Sequence, residues 1–257
     1  MFARFVKTAA VCGAMAVMAA TGAKAAPVIE IALLIDGSAS MNTTEFNLQK
    51  NAYVSRLTAL LPANGTIAVG VWQFGTTCAT PGDASCIEIR EEFAMQTIGS
   101  GATKTALTTA VGNMTQSGGF TPIGPAIDVA TAALLAFNGK GIAGVVKELI
   151  DVSTDGQANR NTTNVADANF HKTAALAAVA AGIDQVNCIG VGNDARCDFE
   201  TGVGSFELFA ATFNDFETAL ETKLRIETNQ VPEPASLALV GLALVGIGAA
   251  SRRRRAA

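Results

Sequence analysis

Hydrophobic and polar positions change period repeatedly along the middle of the chain, which predicts alternating strands and helices. Nearly continuous apolar runs, typical of strands buried on both faces, occupy residues 28–36, 66–74, 145–154 and 185–191. Apolar residues at helical spacing predict helices over residues 46–61, 103–114, 122–137, 165–181 and 215–226. Residues 86–95 alternate in character and predict one antiparallel edge strand. The pattern predicts an α/β fold with a doubly wound, mostly parallel sheet and helices on both faces.

The N-terminus departs from this pattern and resembles a secretory signal. Arg4 and Lys7 precede an apolar stretch over residues 8–20, and the small residues Ala23 and Ala25 follow it. The apolar stretch is short for a membrane anchor. We therefore expect residues 1–25 to be a cleaved signal peptide, with the mature chain beginning at Ala26.

Charge limits the class of partner. The whole chain has a formal net charge of -4, but its two terminal segments hold 7 of the 18 basic residues and 1 of the 22 acidic residues. The middle therefore carries a net charge near -10. Such a domain repels the phosphate backbone, so we expect no nucleic acid among its partners.

Four of the five cysteines lie outside the signal peptide, and they form two local pairs. Cys78 and Cys86 close one short loop, and Cys188 and Cys197 close another. Because an exported protein meets an oxidising compartment, we predict a disulfide in each pair. A structural zinc site is the alternative, although the spacings are not C-x-x-C and the single histidine, His171, is distant in sequence from the first pair.

Oxygen-bearing side chains lie at three strand ends or loops that a parallel sheet would bring together. Asp36, Ser38 and Ser40 end the first strand, Thr121 precedes a helix in a glycine-rich loop, and Asp155 follows a later strand. Ligands bind at the carboxyl ends of strands in open α/β sheets. Carboxylate and hydroxyl oxygens suit a hard divalent cation. Each residue taken alone is also typical of a turn or a helix cap.

The three motifs D-x-S-x-S, G-G-x-T and T-D-G, in this order, resemble the von Willebrand factor A (vWA) domain and its metal-ion-dependent adhesion site (MIDAS). The resemblance covers about residues 28–226 and implies a vWA domain over residues 26–228. It implies a divalent cation, with Mg²⁺ expected and Mn²⁺ or Ca²⁺ as alternatives, held by Ser38, Ser40 and Thr121 directly or through water. Asp36 and Asp155 would lie close by, and an acidic side chain of a partner would complete the coordination.

The C-terminal residues 229–257 resemble the PEP-CTERM sorting signal of Gram-negative bacteria. Val231 precedes the Pro-Glu-Pro motif, and an apolar segment over residues 235–250 separates that motif from a basic cluster. The motif residues and the basic residues are Pro232, Glu233, Pro234, Arg252, Arg253, Arg254 and Arg255. The resemblance implies a transient transmembrane anchor in the inner membrane, cleavage by an exosortase-type protease, and delivery to the cell surface or the extracellular matrix.

These observations predict a non-enzymatic, surface-associated adhesion module that captures an acidic protein or polysaccharide through its cation. One alternative is a structural surface protein whose metal site stabilises the fold. Another is a metal-dependent hydrolase using bound water as nucleophile, for which the chain offers no positioned general base, histidine-rich metal site or nucleophile elbow. We expect Asp151 to be partly buried and paired with a base, and His171 to be solvated.

Overall fold

The computed structural model describes residues 29–137 and 147–228. In these segments a seven-stranded sheet lies between two layers of helices. The strands are β1 (Ile29–Asp36), β2 (Ile67–Thr76), β3 (Ile87–Thr97), β4 (Lys147–Thr154), β5 (Gln185–Val191), β6 (Thr201–Gly202) and β7 (Glu207–Ala210). The helices are α1 (Thr43–Leu60), α2 (Gly101–Gly112), α3 (Ile123–Ala136), α4 (Phe170–Ala181) and α5 (Phe213–Glu227).

The sheet has the strand order β3-β2-β1-β4-β5-β6, and β7 also pairs with β5. Strand β1 is parallel to both β2 and β4, and β4 is parallel to β5. Strand β3 is antiparallel to β2 at the edge, as the alternating pattern predicts. The chain leaves β1 toward β2 on one side and returns to β4 on the other. The carboxyl end of β1 is therefore the switch point at which open α/β sheets bind ligands.

The residues of β1 explain why both faces of the sheet are covered. Ile31, Leu33 and Ile35 pack into the core beneath α1, α2 and α5, whereas Ala32 and Leu34 pack into the core beneath α3 and α4. Successive side chains of a strand point to opposite faces, so a run of apolar residues needs a helical layer on each.

Asn42 with Glu45 three residues later is the sequence pattern of a capping box, and helix α1 begins directly after Asn42, at Thr43. Asn42 accepts hydrogen bonds from the backbone N–H groups of Thr44 and Glu45, and the Glu45 side chain accepts from Asn42 N. This reciprocal capping box satisfies donors that would otherwise lack partners in the first turn.

The structure differs from the sequence prediction at α4 and beyond β5. Helix α4 begins at Phe170 rather than at residue 165, because Asp167 accepts hydrogen bonds from the backbone N–H groups of Asn169 and Phe170 and ends the preceding loop there. Strands β6 and β7 were not predicted. They contain only two and four residues, too few to show a period.

Both predicted disulfides are present, between Cys78 and Cys86 and between Cys188 and Cys197. Asp83 lies beside the first pair. The two sulfurs of that pair are bonded to each other, so the structure agrees with the disulfide and not with the zinc alternative at this position.

Within the described segments, no helix combines the length and the apolar character needed to cross a bilayer. The predicted signal peptide (residues 1–25) and the predicted transmembrane segment (235–250) lie outside the described residues.

Three fully buried ionisable residues, Asp151, Lys223 and Glu227, form a cluster between α5 and the sheet. Lys223 of α5 contacts the carboxylate of Asp151 on β4, and its Nζ lies 2.7 Å from Oε1 of Glu227. The same Glu227 oxygen accepts a hydrogen bond of 2.8 Å from Asn187. Burial is the largest cause that raises the pKa of Asp151, and the nearby Glu227 charge adds to it while Lys223 opposes it. Asp151 is paired with a base, as predicted, but it is fully rather than partly buried.

We expect Lys223→Met to lower the free energy of unfolding by about 3–5 kcal/mol, because it leaves two buried carboxylates without their cation. Urea unfolding of the variant and the parent chain measures this. Lys172→Met is the matched control, since Lys172 pairs with Asp198 at the surface and should change stability by about 1 kcal/mol at most. Equal losses in both variants would contradict a special role for the buried cluster.

Candidate metal centre

Asp36 is the last residue of β1 and its carboxylate is held from two sides. Oδ1 accepts from the backbone N–H of Ser38 at 2.8 Å, and Oδ2 accepts from Thr154 Oγ1 at 2.6 Å. Gly37 follows Asp36 directly, and a Cβ there would lie 2.4 Å from Oε1 of the buried Gln73, so a larger residue would displace that side chain. The carboxylate is therefore fixed in a single orientation at the switch point of the sheet.

Three hydroxyls and a second carboxylate gather next to this carboxylate. Ser38 Oγ lies 2.9 Å from Ser40 Oγ and 3.3 Å from Thr121 Oγ1. Ser40 Oγ donates to Asp155 Oδ1 at 2.5 Å. The structure thus brings together all five residues singled out by the sequence, and we call Asp36, Ser38, Ser40, Thr121 and Asp155 the oxygen cluster.

Backbone contacts between neighbouring loops fix the hydroxyls in place. Ala39 N donates to Gly119 O at 2.9 Å, and Gly118 N donates to Gly37 O at 2.7 Å. These bonds join the loop after β1 to the loop before α3. Thr121 is held by Asn159, whose side-chain Oδ1 accepts from Thr121 N and whose N–H donates to Thr121 O.

Several of these supporting residues were missed by the sequence analysis. Thr154 could have been identified, because it directly precedes Asp155 and the parallel register of β1 and β4 places it beside Asp36. Gln73 and Asn159 carried no such signal. Gln73 accepts hydrogen bonds from both the N–H and the hydroxyl of Ser117, and this contact joins residues 44 positions apart in the chain.

The oxygen cluster fits a divalent cation by three observations. Its donors are hydroxyl and carboxylate oxygens, the ligands of hard cations. Gly156 leaves space beside the cluster, since a Cβ there would lie 3.6 Å from Ser40 Oγ and 3.8 Å from Thr121 Oγ1, in ordinary contact with both. The Asp36 carboxylate is buried, and the groups that shift its pKa are hydroxyls, a backbone N–H and another carboxylate rather than a base.

Burial dominates the electrostatics of both carboxylates. It raises the pKa of Asp36 to about 7, although hydrogen bonds from Ser38 and Thr154 act in the opposite direction. Burial also raises the pKa of Asp155, where the Ser40 hydrogen bond opposes it and the charges of Glu45 and Asp194 add to it. Both shifts reflect the cost of holding negative charge here, which a nearby cation would offset.

The prediction that His171 is solvated is wrong. The side chain is 4% exposed, its Nε2 lies 3.0 Å from Asp198 Oδ1, and its ring meets that of Phe199 edge-on. Asp198 is 27 positions away, so the local polar neighbours of His171 gave no indication of this contact. The residue lies outside the oxygen cluster.

Comparison with protein families gives two matches. A model described as "Protein of unknown function (DUF1194)" matches residues 27–232, and the PEP-CTERM protein-sorting motif matches residues 230–255. No curated protein matches the chain.

Several solved structures share the fold. Proximal thread matrix protein 1 (PTMP1) from the mussel byssus aligns with a TM-score of 0.57 at 19% identity, over 78% of this chain and 47% of that chain. Another PTMP1 structure, described as having a zinc-occupied MIDAS motif, aligns with a TM-score of 0.56 at 18% identity, over 77% and 47%. The pilus adhesin SpaC from Lactobacillus rhamnosus GG aligns with a TM-score of 0.57 at 15% identity, over 78% and 30%. This chain thus spans less than half of each neighbour, and the likeness confirms the predicted vWA-type fold.

The raised pKa of Asp36 predicts a pH dependence in metal-free solution. The folded chain keeps a proton on Asp36 up to about pH 7, whereas the unfolded chain releases it near pH 4. The folded state therefore binds more protons in this window, and stability falls as pH rises from about 4 to about 7. Relative to Asp36→Asn, which does not titrate there, we expect a loss of up to about 4 kcal/mol.

Urea unfolding in EDTA at several pH values, with the parent chain and Asp36→Asn side by side, measures this difference. The charge of Asp155 is one cause of the raised pKa of Asp36, so the difference between the two proteins includes the coupling of these two groups. If stability changes with pH in the same way in both proteins, the pKa of Asp36 is not raised in the folded chain and the prediction is wrong.

Proposed function

The chain belongs to the DUF1194 family, and from its oxygen cluster we propose that it is a non-enzymatic binding module that captures an acidic group of a partner through a divalent cation. It has a vWA-type fold and carries a PEP-CTERM sorting motif, which marks it as an exported, membrane-processed surface protein. The observation that carries the proposal is the convergence of Ser38, Ser40, Thr121 and Asp155 on one another, from three separate loops, beside a buried Asp36.

The composition of the cluster favours an anionic partner. Three of its five groups are neutral hydroxyls, so Ser38, Ser40 and Thr121 would hold a cation, directly or through water, without cancelling its charge. A divalent cation supplies Lewis acidity, which an oxygen anion of a partner satisfies. In this proposal, the hydroxyls and the two carboxylates leave the cation able to bind one more anionic oxygen.

Asp36 and Asp155 act as positioning groups in this proposal. Asp36 is fixed by Ser38 N and Thr154 and would accept hydrogen bonds from hydroxyls or from bound water. Asp155 accepts from Ser40 and orients that hydroxyl. Such outer groups commonly set the orientation and basicity of the atoms that touch a metal.

We propose Mg²⁺ as the cation, with Mn²⁺ and Ca²⁺ as alternatives. The all-oxygen donor set suits each of these hard ions. A PTMP1 structure is described as having zinc in its MIDAS motif, so Zn²⁺ belongs in the same titration series.

The two termini support a location outside the cell. We propose that residues 1–25 are removed as a signal peptide and that residues 26–228 form the mature domain. In this proposal, residues 235–250 anchor the tail in the inner membrane of a Gram-negative bacterium while an exosortase-type protease cuts near Pro232, Glu233 and Pro234. Two structural neighbours are described as a byssal thread matrix protein and a pilus adhesin, roles that agree with binding at a surface or in a matrix.

A fold-stabilising metal site is the competing function. Under that alternative the cation would raise the melting temperature but confer no affinity for acidic polymers. Binding of the chain to an acidic surface in Mg²⁺ and its loss in EDTA separate the two functions.

We expect Thr121→Val to weaken Mg²⁺ binding by about tenfold or more, because the variant keeps the shape of the side chain but removes an oxygen from the cluster. Isothermal titration of the purified full chain with Mg²⁺, and with Mn²⁺ as a second cation, measures this. Thr222→Val is the matched control, since Thr222 lies on α5 and its hydroxyl donates to Thr218 O. Equal affinities for the parent chain and Thr121→Val would refute the proposed site.

A further inference from the structure

Two clefts of different character flank the oxygen cluster. On one side a neutral cleft of about 460 Å³ is lined mainly by Ala39, Thr76, Thr77, Cys78, Ala79 and Phe120. Ala39 lies between the two cluster serines, and Phe120 precedes Thr121, so the neutral cleft adjoins the cluster directly. On the other side an acidic cleft of about 240 Å³ contains Glu45, Asp155 and Asp194.

A disulfide and hydrogen bonds within the chain hold the loops that form the neutral cleft. Its outer loop is closed by the Cys78–Cys86 disulfide, and Thr77 N donates to Cys86 O at 2.8 Å. Asn164 Nδ2 reaches across from the β4–α4 loop and donates to Thr80 O at 2.9 Å. A preformed cleft costs little ordering entropy on binding.

Two hydroxyls of the neutral cleft already form hydrogen bonds within the protein. Thr76 Oγ1 accepts from Phe120 N at 2.8 Å, and Ser117 Oγ donates to Gln73 Oε1 at 2.6 Å. Apolar atoms make up most of the exposed lining, which includes Ala39, Ala79 and Phe120. Sugar hydroxyls placed there would exchange water for few partners, which is unfavourable, whereas an aliphatic side chain would gain from burial.

The distribution of charge also favours the approach of an acidic partner from the side of the neutral cleft. The guanidinium of Arg160 lies 3.4 Å from the centre of the Phe120 ring, and its Nη1 donates to the backbone carbonyl of Asn159. Arg160 thus places a cation next to one residue of the neutral cleft, whereas three carboxylates line the opposite cleft. A partner that brings an acidic group to the cluster is repelled by the acidic cleft and attracted toward the Phe120 side.

Building on the proposed function, we propose that the partner is a protein rather than a polysaccharide. It presents a short segment whose Asp or Glu side chain reaches the oxygen cluster and whose neighbouring aliphatic side chain occupies the neutral cleft. The acidic cleft excludes a second acidic group on its side, so the segment is selective for one acid next to an apolar residue.

Three multivalent probes test this proposal with the purified full chain in Mg²⁺ and in EDTA. Two carry the peptides Gly-Leu-Glu-Gly and Gly-Ser-Glu-Gly on the same neutral polymer, and the third is polygalacturonate. We expect the Leu probe to bind about tenfold or more tightly than the Ser probe, because one leucine side chain is buried. We expect polygalacturonate to bind more weakly than the Leu probe, and EDTA to abolish all binding.

Paired variants locate the contact. Ala79→Gln places a neutral but larger side chain in the neutral cleft and should remove the preference for the Leu probe. Ala211→Gln makes the same change beside the acidic cleft and should leave the preference within about twofold. Mg²⁺ titration of both variants shows that the oxygen cluster remains intact.

The outcomes distinguish selectivity for an acid next to an apolar residue from metal-dependent capture itself. Equal binding of the Leu and Ser probes, tighter binding of polygalacturonate, or a preference that survives Ala79→Gln would overturn the inference while leaving metal-dependent capture in place. A chain that binds Mg²⁺ but none of the three probes would overturn capture itself, and the inference with it.

Discussion

A carboxylate buried at the end of the central strand is the constraint on which the site depends. Asp36 sits where water cannot solvate it, so its orientation is set by the N–H of Ser38 and the hydroxyl of Thr154. Holding it requires β4 to lie beside β1 in this register, and Gly37 lets the loop after β1 pass close to Gln73. The position of Ser38, the first hydroxyl residue of the oxygen cluster, therefore depends on how this carboxyl group is buried.

The same strand end is coupled to the helical layer behind the sheet. Gln49 of α1 is fully buried, its Nε2 donates to Asp36 O at 2.8 Å, and its Oε1 accepts from Ser153 Oγ at 3.2 Å. Two residues before Ser153 on β4, Asp151 meets Lys223 of α5 on the same side of the sheet. Polar contacts in an interior are stable only when their partners are satisfied, so these contacts specify how α1 and α5 sit on the sheet.

The sequence predicted the parts of the fold that short-range chemistry determines. The apolar run of β1, the capping box at Asn42 and the local cysteine pairs each depend on residues within about ten positions, and each was predicted correctly. The gathering of Thr121 and Asp155 beside Ser38 followed from the parallel sheet. What escaped prediction depends on distant partners: His171 on Asp198, Gln73 on Ser117, and β7 on β5. No local pattern encodes such pairings when the segments are short or polar.

The placement of the two disulfides has a consequence for when the molecule becomes competent. Cys78 lines the neutral cleft, and Arg196, the residue before Cys197, donates its N–H to Gly156 O beside the oxygen cluster. Both cross-links therefore brace loops at the same end of the sheet. Because such bonds form in oxidising compartments, the loops stay uncross-linked in the cytosol. Under the proposed function, export would complete the binding surface, because the loops around the oxygen cluster acquire their cross-links only outside the cytosol.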